Sequence, residues 1–203
     1  MRLRFIGITC LTLLGLLGSA VPALAVFGDY YLIESPTPYS LKVNRWEAGV
    51  HTFADGPWVA ELHAGAAPGL TLGIDAVEND GGGLEFKYQL LPGREGSPAL
   101  ALGIADIGRD QVSPYLVIGE KIPGSKDVRW HLGIGGGRFD GLFAGIDAGL
   151  NQGHGGLPVE LTAELVNSNL NIGFSLGIAP GWRLEIASAE DDLLAGVSYR
   201  SSF

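Results

Sequence analysis

Three features of this chain carry residues whose types and spacing could do chemistry. Gly173-Phe174-Ser175-Leu176-Gly177 spells the nucleophile-elbow pattern of serine hydrolases. That chemistry needs a sharp strand-to-helix turn that lifts the serine beside an oxyanion hole. Here hydrophobic alternation runs straight through Ser175 to Ala179-Pro180-Gly181, and the spacing predicts a strand. Gly133-Ile134-Gly135-Gly136-Gly137-Arg138 resembles a phosphate-cradling loop, which works only by opening onto a helix N-terminus. Leu142 to Leu150 instead reads as another strand, so a glycine-rich strand end is expected. His51, His63, His131 and His154 stand singly, without His-x-x-x-His spacing. His63 or His131 meeting Ser175 and Glu164 inside a barrel would be a route to catalysis, but no spacing requires it. No catalytic residue, cofactor or resident metal is therefore assigned, and a non-enzymatic role is expected.

Asp80, Asp110, Asp140, Asp191 and Asp192 fall in turns that would ring one end of a barrel. Hard divalent cations favour clustered carboxylates, so this rim is a candidate for sharing calcium or magnesium with anionic lipopolysaccharide. Solvated turns are the plainer alternative.

The elements that must position these residues have a period of two. Leu170, Ile172, Phe174, Leu176 and Ile178 alternate with Asn171, Gly173, Ser175 and Gly177. Leu84, Phe86, Tyr88 and Leu90 alternate with Glu85, Lys87 and Gln89, and Val159, Leu161, Ala163 and Leu165 with Glu160, Thr162 and Glu164. Such alternation is strand chemistry. Turns of two kinds separate the strands in strict succession. Pro68-Gly69, Pro92-Gly93, Pro123-Gly124 and Pro180-Gly181 interleave with acidic or Asn-rich turns such as Asn79-Asp80-Gly81, Asp140-Gly141 and Asn167-Ser168-Asn169. An up-and-down meander produces that order, because every second turn lands at the same end. The pattern predicts an all-β, antiparallel transmembrane barrel of about twelve strands, ten being next, with short turns at both ends and little material for a plug. Ala67-Pro68-Gly69 recurs 112 residues later as Ala179-Pro180-Gly181, an internal echo.

Alternation alone does not say which face is wet. The polar face is rich in glycine and carries Glu61, His63, Asp75, Glu85, Lys87, Asp147, Glu160, Glu164, Arg183 and Glu185, which suits a salt-bridged lumen. A soluble surface would hold more Lys and Glu. The apolar face ends in large rings, Trp58, Trp130, Trp182, Tyr115, Tyr199 and Phe203, placed as an interfacial girdle would be. The alternative is a soluble periplasmic barrel with its Leu, Ile and Phe face turned inward around a small apolar ligand.

The leader points to export. Residues 1–25 combine Arg2 and Arg4, an apolar run from Phe5 to Leu17, and Ala23-Leu24-Ala25. These are the parts of a cleaved signal peptide. Removing it takes away the single Cys10 and leaves 11 basic residues against 22 acidic, a formal charge of −11. That excess argues against nucleic acid as a partner. A short irregular arm, 26–37, would precede the barrel, 38–203. No stretch beyond the leader is long and apolar enough for a spanning helix, so membrane residence would have to come from strands.

The final strand, with Gly196 and Tyr199 ahead of a terminal Phe203, resembles the C-terminal insertion signal of bacterial outer-membrane barrels, apart from Ser201 where a hydrophobic residue is common. It implies outer-membrane lipid and the barrel-insertion machinery as partners. The segments 84–92 (LEFKYQLLP), 113–117 (SPYLV) and 131–145 (HLGIGGGRFDGLFAG) resemble YjbH-type barrels, a family associated with exopolysaccharide production. This resemblance implies an outer-membrane location for a short, single barrel and a link to surface polysaccharide and its export components, while the short turns point to a structural or passive-transport role. It carries over no catalytic residue.

Overall fold

The computed structural model describes residues 30–54, 56–94, 96–125, 127–150, 157–189 and 192–203. The expected leader and the arm residues 26–29 lie outside these, as do His154 and Asp191.

Twelve strands follow the period-two pattern: β1 (Arg45–Phe53), β2 (Trp58–Ala67), β3 (Leu70–Val77), β4 (Gly81–Leu91), β5 (Ala99–Ile107), β6 (Ser113–Lys121), β7 (Val128–Gly135), β8 (Gly141–Leu150), β9 (Val159–Val166), β10 (Asn169–Ala179), β11 (Trp182–Ala189) and β12 (Asp192–Ser202). Each pairs antiparallel with its neighbour in sequence. β1 also pairs with β12, from Arg45↔Ser202 to Phe53↔Leu194, so the sheet closes into an up-and-down barrel with no free edge. The wall begins at Arg45 and not at Pro38. Residues 38–44 stay with the arm, which leaves the wall at Asn44, a residue in the left-handed region at φ 65°.

Turn chemistry sets the register. In the two-residue turns Pro68-Gly69 and Pro180-Gly181 the glycines take φ 77° and 78°, a region that side chains resist. The internal echo reaches into the backbone: the ladder slips between Gly65 and Ala67 and again between Gly177 and Ala179, at matching positions of the two hairpins. A bulge of this kind bends the strand and increases its twist.

The greasy face points outward. Leu170, Ile172, Phe174, Leu184 and Ile186 are all exposed, whereas Lys87 is 0% and Glu164 2% exposed. Buried apolar side chains form a smaller cluster inside the barrel. A 3-10 turn (Gly137–Phe139) after β7 folds Phe139 inward onto Tyr115, Phe143, Val117 and Val166. Tyr115 thereby departs from the expected girdle. It is 4% exposed, and its hydroxyl donates to Glu85 at 3.1 Å inside the lumen.

Candidate functional site

The lumen is where the chain's charges meet. Inward positions on alternate residues of β2, β3, β4, β8, β9 and β11 bring in Glu61, His63, Asp75, Glu85, Lys87, Asp147, Glu160, Glu164, Arg183 and Glu185. Charges held away from bulk water need partners, and most find them across strands. Arg183 and Arg200 both bind Glu47, stitching β11 and β12 to β1. His51 lies 2.5 Å from Glu185, which also accepts from Ser198 at 2.8 Å. Arg129 and His131 reach Asp147 at 2.7 and 2.6 Å. Arg109 binds Asp75 and, at 2.9 Å, Asp106. Glu47, Arg109, Arg129 and Arg200 are lumen residues outside the set expected from the sequence. Arg200 alternates visibly with Tyr199 in β12, and Glu47 sits near the start of β1, where the pattern is weakest.

The arm occupies this lumen, although a plug was not expected. From Asn44 the chain turns inside and doubles back in a small hairpin, with Tyr31 bridged to Pro36 and the Thr37 amide bonded to the Tyr30 carbonyl at 2.9 Å. Tyr30, Ser35, Pro36, Thr37, Pro38 and Leu41 are buried within the barrel. On the β4 wall, the Lys87 ammonium donates to the carbonyls of Tyr30, Thr37 and Tyr39 at 2.7, 3.1 and 3.1 Å and sits 3.6 Å over the Tyr30 ring. On β9, Glu164 accepts from the amides of Ile33, Glu34 and Ser35 at 3.3, 2.9 and 3.0 Å and from the Ser35 hydroxyl. Gln89 Nε2 donates to the Pro38 carbonyl at 3.0 Å, and Thr71 Oγ1 accepts from the Leu41 amide at 2.9 Å.

The wall makes room for the arm by omitting side chains. A Cβ on Gly145 would strike Leu32, one on Gly173 would meet Ile33 at 3.0 Å, and one on Gly65 would collide with the Lys42 carbonyl. Tyr31 donates to Glu85 at 2.5 Å and accepts from Arg138 at 2.7 Å. Burial pushes the phenols of Tyr30 and Tyr31 well above their ordinary range. The Glu85 carboxylate adds to this, while Arg138 opposes it at Tyr31. His63 stacks on Tyr30 with ring centres 4.1 Å apart and lies 3.4 Å from Glu85. Beside the arm remains a cavity of ≈ 390 Å³ bordered by Tyr30, Ile33, His51, Glu61, Glu185 and Phe139.

The acidic rim is not drawn together: among the described residues no three His, Cys, Asp or Glu side chains converge to hold a metal ion. Asp80, Asp110, Asp140 and Asp192 belong to different hairpins, whose spacing along a sheet is about 10 Å. Asp80 leans instead to Arg109 Nε at 3.5 Å. Ser175 lies in the middle of β10, as its spacing predicts, and its buried hydroxyl has no hydrogen-bond partner. The glycines at 133–137 run from β7 into the 3-10 turn, with β8 beyond it. Among the aromatic residues, Trp182 and Trp46 pack on Tyr199 at 4.7 and 5.4 Å, at the barrel end where β1 begins and β12 finishes. Trp58, at the start of β2, is exposed, Trp130 is half-buried, and Phe203 is 84% exposed.

No family model matches the chain, and no curated protein matches it. Solved structures do. The KdgM porin is similar at TM-score 0.56 and 13% identity over 78% of this chain and 99% of that one. A second structure of that porin, in complex with disordered oligogalacturonate, is similar at TM-score 0.53 and 14% identity over 78% and 99%. The Acinetobacter baumannii outer membrane protein Omp33 is similar at TM-score 0.53 and 10% identity over 79% and 98%. At these identities the likeness is one of fold: the chain folds as a closed, twelve-stranded, up-and-down antiparallel barrel.

Proposed function

We propose that this protein resides in the outer membrane and passes small polar solutes by passive diffusion, with cations favoured over anions. The inversion of its faces carries the reading. Leucine, isoleucine and phenylalanine clothe the outside while ion pairs fill the inside, the arrangement that hydrocarbon, not water, selects for a barrel exterior. The soluble alternative needs the same apolar side chains turned inward. The likeness to porin-type barrels supports the reading, as does the terminal strand suited to the insertion machinery.

Ion preference follows from the cavity wall. Glu47, Glu61, Asp75, Glu85, Glu160 and Glu185 outnumber Arg138 and Arg183 there, and pores lined by carboxylates favour cations. One of the similar porins is solved with oligogalacturonate, a polyanion. The acidic wall here suits neutral or cationic solutes better. A link to polysaccharide export rests on the YjbH-type resemblance.

Purified protein in planar bilayers, under a potassium chloride gradient, tests the reading. A cation-selective reversal potential is expected. Anion selectivity would overturn it, as would absence of conductance from both the whole chain and a chain lacking residues 30–41.

A further inference from the structure

We propose that the N-terminal arm is a reversible stopper for this channel, an inference that rests on the channel reading and adds its regulation. The docked arm crosses the bore from the β4 wall to the wall of β8, β9 and β10, since Lys87 holds its carbonyls and Leu32 and Ile33 lie against Gly145 and Gly173. Its anchors are of a kind that water can replace. Lys87 and Glu164 hold the arm by its backbone carbonyls and amides, and each charge can be rehydrated in an open lumen. One flank of the arm, from Tyr30 to Glu34, borders the ≈ 390 Å³ cavity and is not packed against the wall on that side. A permanent core element would be packed to crystal-like density on every side. Because the arm stays attached to β1 at Asn44, release leaves it at high local concentration and able to return.

The missing side chains at Gly145 and Gly173 give the inference its sharpest test. Adding bulk to the lining of an ordinary pore narrows it. Adding bulk at Gly173 here crowds the docked arm, because a Cβ would already meet Ile33 at 3.0 Å and the methyl groups of a valine reach further, so docking is disfavoured.

Single-channel recording provides the readout. The whole chain is expected to be mostly closed with brief openings, and the chain lacking residues 30–41 to stay open. Gly173→Val should raise the open fraction by about tenfold or more, the usual scale of overpacking. A Leu32→Cys/Gly145→Cys pair should be silent when oxidised and flicker again when reduced. Should the truncated chain fail to fold, these two variants still decide the matter. A cross-linked pair that conducts as well as its reduced form overturns the stopper, as does a Gly173→Val channel that is unchanged or narrower. Equal conductance of whole and truncated chains removes the stopper but leaves the channel. Silence from every form removes both.

Discussion

Lys87 and Glu164 grip one stretch of chain from opposite sides of the barrel, the ammonium taking three of its carbonyl oxygens and the carboxylate three of its amides. The arm is thus recognised mainly by its backbone polarity. Side-chain changes at its exposed atoms should matter less than changes at these two wall residues.

Glu164→Gln keeps the shape and removes the charge. Hydrogen bonds to a charged acceptor contribute about 1.5–3 kcal/mol each, against about 1 for a neutral pair. Amide hydrogen exchange at Ile33, Glu34 and Ser35 should speed up by roughly tenfold or more, with the β9 and β10 amides unaffected. Unchanged protection of those three amides would show that the carboxylate does not hold the arm.

Glu47→Ala should weaken barrel closure. It leaves the Arg183 and Arg200 guanidiniums buried without their shared carboxylate, and breaking such a pair costs about 3–5 kcal/mol. The temperature at which the folded band converts on a gel should fall. In the Glu47→Ala background, Arg200→Ala should cost much less than it does alone. An unaltered conversion temperature would mean that the seam owes nothing to this triad.

Phe174→Arg places a cation at the middle of β10 on the outer face, where Phe174 is 42% exposed. Near the bilayer midplane this costs about 2–4 kcal/mol, whereas Phe174→Leu should be close to neutral. Equilibrium folding into lipid vesicles measures both. Equal stability of the two variants would argue that water, and not lipid, bathes that face.

Alkaline titration reports on docking. The folded phenol groups of Tyr30 and Tyr31 ionise well above the ordinary value of 10.0. Their contribution to the docked state is complete below that pH and is lost as pH climbs through the higher folded value. Ultraviolet phenolate absorbance should rise in two waves, and Tyr31→Phe should shrink the later one. A single wave near 10 for all tyrosines would contradict the buried arm.

The wall was legible in the sequence because a strand's period survives any tertiary context: Leu170 to Ile178 and Leu84 to Leu90 alternate as they do in the barrel, and the turns fall where proline, glycine and asparagine stand. The stopper was not legible. Residues 30–44 have no period, and what fixes them is contact with residues far off in sequence, from Thr71, 30 positions from Leu41, to Lys87 and Glu164. The lumenal glycines at 145 and 173 were the available signal, but small residues lining a bore and small residues making way for a second chain segment look the same in one dimension. Tyr115 was misplaced because both faces of β6 are apolar: Leu116 and Ile118 on one side, Tyr115 and Val117 on the other. Alternation conveys no direction there, and only the Glu85 carboxylate across the lumen decides it.

The last residue of the chain donates its amide to the carbonyl of Asn44 at 2.9 Å, at the point where the arm departs from the wall. The root of the arm is therefore fastened to β12, the ribbon that closes the wall on β1. Until that ribbon docks on the first one, the segment ahead of it has no finished socket to enter. Construction and sealing are then a single event, and a half-assembled cylinder would sit in the bilayer unsealed.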